Sequence, residues 1–215
     1  MLKKRTKYKY NTGILILSTI IAIVCILNYT NKKEKPSIPT YSIQGSYLVD
    51  VNNPKEVVGD ADYVFLGNVV EQTGTLYKNK IPMEQENGDV LYIGNAYTNY
   101  TVSVIENIKN ELVTSENISI SKLGGIREDS SAYDIFEDDF LPEVGKTYIF
   151  IAYAQEDGSL LVAGPNSNIL CTNKSLMKSK SSFLKTSEYT TYKTAVDNQI
   201  TTNRKSEVSI YKKEH

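Results

Sequence analysis

The side chains best suited to chemistry crowd into one stretch, EDSSAYDIFEDDF at 128–140, which holds Glu128, Asp129, Asp134, Glu137, Asp138 and Asp139. Clustered carboxylates suit Ca²⁺, which takes six to eight oxygen ligands at roughly 2.3–2.6 Å. Calcium is therefore the one cofactor the sequence suggests. The EF-hand spacing and its mid-loop glycine are absent, so a solvated acidic loop is the competing reading. Two carboxylates can also hydrolyse a glycosidic bond, but only as a fixed, opposed pair, which six acids in one loop do not specify. The single histidine is the last residue, His215, and one of the two cysteines, Cys25, lies in an apolar run. That leaves Cys171 with no visible base beside it, which fits a small buried apolar residue better than a nucleophile. Ser-His-Asp and Cys-His catalysis, zinc clusters and an internal disulfide framework are excluded. No catalytic residue is expected, and no enzyme.

Sixteen tyrosines offer a different chemistry. Tyr92, Tyr97 and Tyr100, if exposed, could stack on sugars or support a protein interface, whereas in strands tyrosine also serves cross-strand packing. Gly124-Gly125 lacks the Lys-Ser/Thr and following helix of a phosphate loop.

These residues sit in a chain whose net charge of −1 conceals strong segregation. Residues 1–35 carry eight basic groups and one acid, residues 36–170 carry seven and twenty, and residues 171–215 carry nine and four. A middle at −13 repels phosphate backbones, so no nucleic-acid partner is expected. The basic tail is either solvated or free to meet anionic lipid, wall polymer or the acidic middle.

The basic flank at 1–12 precedes the uncharged GILILSTIIAIVCIL of 13–27. This is the layout of a signal anchor, and 12–29 spans roughly 27 Å, near the lower limit for a bilayer. The expectation is a transmembrane anchor at 13–29 with the rest of the chain extracytoplasmic, held in place by the excess of basic residues before it. Cleavage as a secretory signal and lipidation at Cys25 are the alternatives, though no small-residue cleavage site follows the run and Val24 precedes the cysteine. Few cysteines and many Lys, Asn, Ile and Tyr suit a bacterial surface.

A linker at 30–45 leads into a strand-rich region, 46–170. Asn53-Pro54 should cap a short helical turn. YVFLGNVVE (63–71) is strand-like with a bulge at Gly67, and Tyr100, Val102, Val104 and Ile108 alternate along TNYTVSVIENI. ISISKL (118–123) alternates again, and TYIFIAYA (147–154) is apolar on both faces, as in a central strand. Asp157-Gly158 should turn the chain into SLLVAG, and Asn87-Gly88 should close a smaller hairpin between 75–77 and 90–93. The fold class is thus mainly β, a five- to six-stranded small barrel, with an N-terminal transmembrane helix and a C-terminal helix. That last helix is expected at about 186–200 in the basic tail 171–215, with Tyr189, Tyr192, Val196 and Ile200 facing the sheet and the final dozen residues disordered.

The series ADYVFLGNVV, YTVSVIENIKN, ISISKLGG and VGKTYIFIAY…DGSLLVAGP resembles the netrin-like module, the OB-fold barrel of the tissue inhibitors of metalloproteinases. The likeness covers roughly 58–166. It implies an OB-like barrel and, by analogy alone, an extracytoplasmic protease inhibitor or regulator. The animal inhibitors set an amino-terminal cysteine over the protease zinc. The start of this domain, Ser46-Tyr47-Leu48, has none, and Asn110 replaces the glycine expected after Leu-Lys. The function expected first is therefore non-enzymatic binding at the outer membrane face, with an envelope protein or cell-wall polymer as partner.

Overall fold

In the computed structural model, residues 38–84, 87–172 and 179–214 are described. The expected span at 13–29 lies outside them. Among the described residues no helix is long and apolar enough to cross a membrane.

The domain is mainly β, as expected. Its elements are β1 (Thr40–Ile43), α1 (Pro54–Asp60), β2 (Tyr63–Glu84), β3 (Val90–Lys109), β4 (Asn117–Leu123), β5 (Gly125–Ile126), β6 (Tyr133–Phe136), β7 (Thr147–Ala154), β8 (Leu160–Val162), β9 (Asn168–Leu170), α2 (Lys180–Phe183) and α3 (Ser187–Asp197). Six strands form one sheet in the order β2-β3-β4-β8-β7-β9, and β1, β6 and β5 form a second, small one. The large sheet is not the plain small barrel expected. β9 adds to β7 at the end of the series, and β2 and β3 run on together far beyond their neighbours. β7 also pairs with β2 along Tyr63–Asn68, on the edge opposite β8 and β9.

Period-two patterning explains two cores. Along β2, Tyr63 and Phe65 enter one apolar cluster while Val64 and Leu66 enter another. Along β7, Tyr148, Phe150 and Ala152 join the first and Ile149 and Ile151 the second. Alternate side chains of a strand leave on opposite faces, so TYIFIAYA is apolar throughout because both of its faces are covered. The first cluster takes Tyr100, Val102 and Val104 from β3 and Ile118 and Ile120 from β4. The second is closed by helices, with Val57 and Val58 of α1 and Tyr192 and Ala195 of α3.

Local signals explain the ends of these elements. The Asn53 side chain accepts from the Lys55 N–H at 3.2 Å, and Pro54 opens α1. Gly67 stands at a register shift between β2 and β3, as its place in the sequence suggested. The hairpin at Asp157-Gly158 forms, with Gly158 at φ +77°, a region costly for any residue with a Cβ.

The tail departs from expectation after α3. Ile200, placed on the helix face by its spacing, lies beyond the helix end, where its N–H donates to the Lys55 carbonyl at 3.0 Å. The last residues are not the disordered segment expected. Ser209 is buried, the Val113 N–H donates to the Tyr211 carbonyl at 2.9 Å, and Leu112 bridges to Lys212. Arg204 fastens this return: its guanidinium donates to the Asp60 carbonyl at 3.0 Å and to Asp62 Oδ1 at 2.5 Å.

Candidate functional site

The six acids of 128–139 do not converge. Asp134 receives two hydrogen bonds of 2.8 Å from the Arg127 guanidinium, and Glu128 faces the Lys80 ammonium at 2.8 Å. Asp129 accepts from the Ser131 N–H, which closes a turn, and the Ser131 side chain together with that N–H holds its carboxyl below the usual range. Asp138 occupies a left-handed turn position at φ +58°, and the Glu137 N–H donates to the Ile43 carbonyl. Among the described residues no three His, Cys, Asp or Glu side chains are placed to share a metal ion. Asp134, Glu128 and Asp139 are matched to cations and Asp129 to a turn, while Glu137 and Asp138 are exposed.

Asp139 goes to the core. It meets Lys122, and the two side chains are 1% and 0% exposed. The ammonium donates to Asp139 Oδ1 at 2.8 Å, to Ser167 Oγ at 2.7 Å and to the Gly164 carbonyl at 3.1 Å, while Oδ2 lies 2.6 Å away. Burial pulls Lys122 down to about 8 despite the carboxylate beside it, and burial likewise raises Asp139. Both shifts favour the neutral form, so loss of solvent outweighs the attraction between the two charges. A lysine of lowered pKa touching a serine hydroxyl has the composition of a Ser-Lys nucleophilic pair. Ser167 is 2% exposed, however, and its own hydroxyl donates to the Gly164 carbonyl at 2.6 Å. The cluster ties β4 to the loop before β9. Its signal was present in the sequence: Lys122 shares the strand parity of Ile118 and Ile120, which is the interior face.

Cys171 is buried, and its thiol is pushed up to about 11, chiefly by that burial. A thiol so rarely ionised near neutrality is a poor nucleophile. A second polar cluster surrounds the buried Asp62, whose Oδ2 accepts from the Ala154 N–H at 2.9 Å while Oδ1 accepts from Arg204. Lys109 lies beside it, its ammonium donating to the Val58 carbonyl at 2.6 Å, and burial lowers its pKa. These groups join the tail to the sheet.

The three tyrosines separate. Tyr100 is fully buried in the interior, while Tyr97 lies on the other face of β3 beneath Lys78, whose ammonium is 5.2 Å from the ring centre. Tyr92 is exposed, out on a ribbon that the sequence presented as a small separate hairpin. Instead β2 and β3 pair continuously from Val64↔Lys109 to Glu84↔Val90. The Asn87-Gly88 turn closes the tip, with the Asp89 N–H donating to Asn87 Oδ1 at 3.0 Å and Gly88 at φ +83°.

This ribbon carries the largest run of exposed apolar side chains on the sheet. Residues directly opposite in an antiparallel pair share a face. The register Ile81↔Ile93 and Met83↔Leu91 therefore makes one face wholly apolar, and Pro82↔Tyr92 and Glu84↔Val90 make the other nearly so. Ile81, Met83, Val90, Leu91, Tyr92 and Ile93 are each between 38% and 66% exposed. Nearer the sheet the ribbon is held: the Tyr77 hydroxyl donates to the Ile126 carbonyl at 3.2 Å, and Thr98 Oγ1 donates to the Gly124 carbonyl at 2.7 Å. The stem is anchored and the apolar tip projects. Comparison with protein-family models and with curated proteins finds no match to this chain.

Proposed function

We propose that the chain is a membrane-anchored, extracytoplasmic, non-enzymatic binding module that engages its partner through the β2–β3 ribbon. The observation that carries this reading is the exposed apolar tip, Ile81, Met83, Val90, Leu91, Tyr92 and Ile93, on a hydrogen-bonded and anchored stem. Exposed apolar patches of some 300–600 Å² are often functional on an otherwise polar surface. The basic flank and apolar run of residues 1–27 support the anchor.

The OB-like reading of the fold has its own support. The neighbours β2-β3-β4-β8-β7 lead back to β2, with β4 parallel to β8 and the remaining pairs antiparallel. In OB-folds, ligands are bound on the face of the second and third strands and by the loops joining strands one to two and four to five. On this chain those loops are the ribbon tip and the Asp157-Gly158 turn. The latter is covered by the tail, since the Ile210 N–H and Ser209 Oγ both donate to the Gly158 carbonyl, at 3.0 and 3.1 Å. The ribbon is the one of the two left open.

The test is binding of the full chain, reconstituted in nanodiscs, to purified peptidoglycan, teichoic acid and individual envelope proteins. Saturable binding weakened roughly tenfold or more by Leu91→Ser with Tyr92→Ser is the expected result, as for loss of an interface anchor. Equal binding by chain and variant would remove the ribbon from the site.

A further inference from the structure

We infer that the ribbon's partner is a second copy of this chain, joined edge to edge along β3 in a two-fold antiparallel pairing centred on Tyr92. This deepens the binding reading above and rests on it. Residues 98–103 of β3 pair with β4, and the Ala96 carbonyl and Tyr97 are taken by Gly124. From Val90 to Asn95 the ladders among the described residues pair β3 with β2 alone. That leaves the outer edge of VLYIGN without a strand. An unpaired edge ordinarily carries a charge, a proline or a bulge that blocks further pairing. VLYIGN has no charge and no proline, while Lys78, Lys80 and Pro82 all stand on β2. The guarded edge is β2, and the open one is β3.

Self-pairing about Tyr92 sets Leu91 against Ile93 of the second copy and Tyr92 against Tyr92. With the register inside each ribbon, one row then reads Met83, Leu91, Ile93, Ile81 across four strands, repeated by symmetry, and the row between them on the opposite face reads Pro82, Tyr92, Tyr92, Pro82. The charges also match. Asp89 falls opposite Asn95 of the other copy, whose own partner is Lys78. Val90, beside Glu84, falls opposite Gly94, over which the stem of Lys80 lies. The acidic tip of each ribbon thus meets the lysine-bearing stem of the other, whereas a parallel pairing would set tip against tip. The same acids, Glu84 and Asp89, oppose insertion of the tip among anionic lipids. Six exposed apolar residues a side fall well short of the roughly 20–30 residues a side of a standard stable interface. The dimer is therefore weak, dissociating at roughly micromolar concentrations or above.

Sedimentation of the full chain in detergent, from about 1 to 100 μM, should show a dimer fraction that rises with concentration. Ile93→Lys, which places a blocking charge beside the edge centre, should make it monomeric with an unchanged thermal midpoint. In a Cys25→Ser background, mild oxidation should link two copies of Tyr92→Cys, because facing strand positions lie roughly 4.5–5.5 Å apart, within disulfide reach. Leu76→Cys, equally exposed but away from the axis, should not cross-link. A chain monomeric throughout, or equal cross-linking at both positions, overturns the inference. So does association with anionic vesicles in place of dimerisation. Dimerisation without capture of any wall polymer or envelope protein upholds the dimer and confines the module's binding to itself. Capture by a strictly monomeric chain upholds the binding reading and discards the dimer.

Discussion

The Lys122 ammonium and the Asp139 carboxylate meet at 2.6 Å where neither side chain reaches solvent. The pair joins the inner face of β4 to the loop after β6. Charges in such a place are stabilised by each other and cost stability when separated, so their contribution depends on whether one or both are removed.

Lys122→Met alone and Asp139→Leu alone should each cost about 3–5 kcal/mol, because each strands a buried charge. The double substitution should recover most of that loss, returning to within about 1 kcal/mol of the unaltered chain or exceeding it. Urea unfolding of the four proteins gives the cycle directly. Additive losses in the double variant would show that the two charges are not energetically coupled.

The same pair sets a pH dependence. The folded-state pKa of Lys122 is lowered, to about 8, from an ordinary value of 10.5. Between those values the unfolded chain holds a proton that the folded chain has released. Stability contributed by this group therefore rises with pH across that window. The raised pKa of Asp139 acts in the acidic range with the opposite slope, since there the folded chain holds the extra proton. The difference in thermal midpoint between the unaltered chain and Lys122→Met should widen from pH 8 to 10 in favour of the unaltered chain. Buried tyrosines such as Tyr192, raised to about 12, affect both proteins alike and cancel in the comparison. A flat difference would contradict the lowered pKa.

Arg204→Gln should cost about 1–3 kcal/mol, less than a fully buried pair because the arginine side chain is 28% exposed. The loss should be local as well as global. Asp62 would lose its ionic partner, and the return of the tail past Gly158 would loosen. Amide exchange at 209–213 should then accelerate more than exchange in β7. Uniform acceleration would mean that the tail and sheet open as one unit.

Strand parity carried most of the fold. Tyr100, Val102 and Val104 are buried on one face as their alternation required, and the doubly apolar β7 lies between two cores. Ile108, expected on the same face, enters the other cluster because an extra β3 residue opposite Leu66 and Gly67 reverses the parity. What period two could not convey was continuity. Bulges on β3 opposite 64–67 and on β2 between 69 and 81 interrupt the alternation, so one long ribbon reads as two separate strands and one short hairpin. The tail was obscured for another reason: Arg204, Ser209 and Tyr211 dock by polar contacts with distant residues, and no local periodicity announces such contacts. The acidic loop was legible as a cluster of charges, but the cations that divide it come from 80, 122 and 127. Lys122 was the readable exception, a charge at an interior position of an alternating strand.

Millimolar Ca²⁺ should leave the thermal midpoint unchanged, because Asp134, Glu128 and Asp139 are already matched to Arg127, Lys80 and Lys122. A ligand bound only by the folded state stabilises it by RT ln(1 + [L]/Kd), about 2.7 kcal/mol at a hundredfold excess over Kd. A rise of several degrees in calorimetry would therefore require rearrangement of these three pairs.

Tyr100→Phe separates packing from recognition. The Tyr100 ring lies in the interior cluster, and its hydroxyl has no hydrogen-bond partner among the described protein atoms. Burial raises its pKa well above the ordinary tyrosine value, so the phenol stays neutral through the physiological range. A buried hydroxyl without a partner costs stability, and removing it while keeping the ring leaves the packing intact. The variant should be as stable as the unaltered chain or more stable by about 1 kcal/mol, and its binding should be unchanged. Tyr92→Phe, by contrast, keeps the exposed ring and should retain dimerisation, whereas Tyr92→Ser should weaken it without lowering the thermal midpoint. If Tyr100→Phe instead lost more than about 1 kcal/mol, its hydroxyl would have to be held by a water within the core.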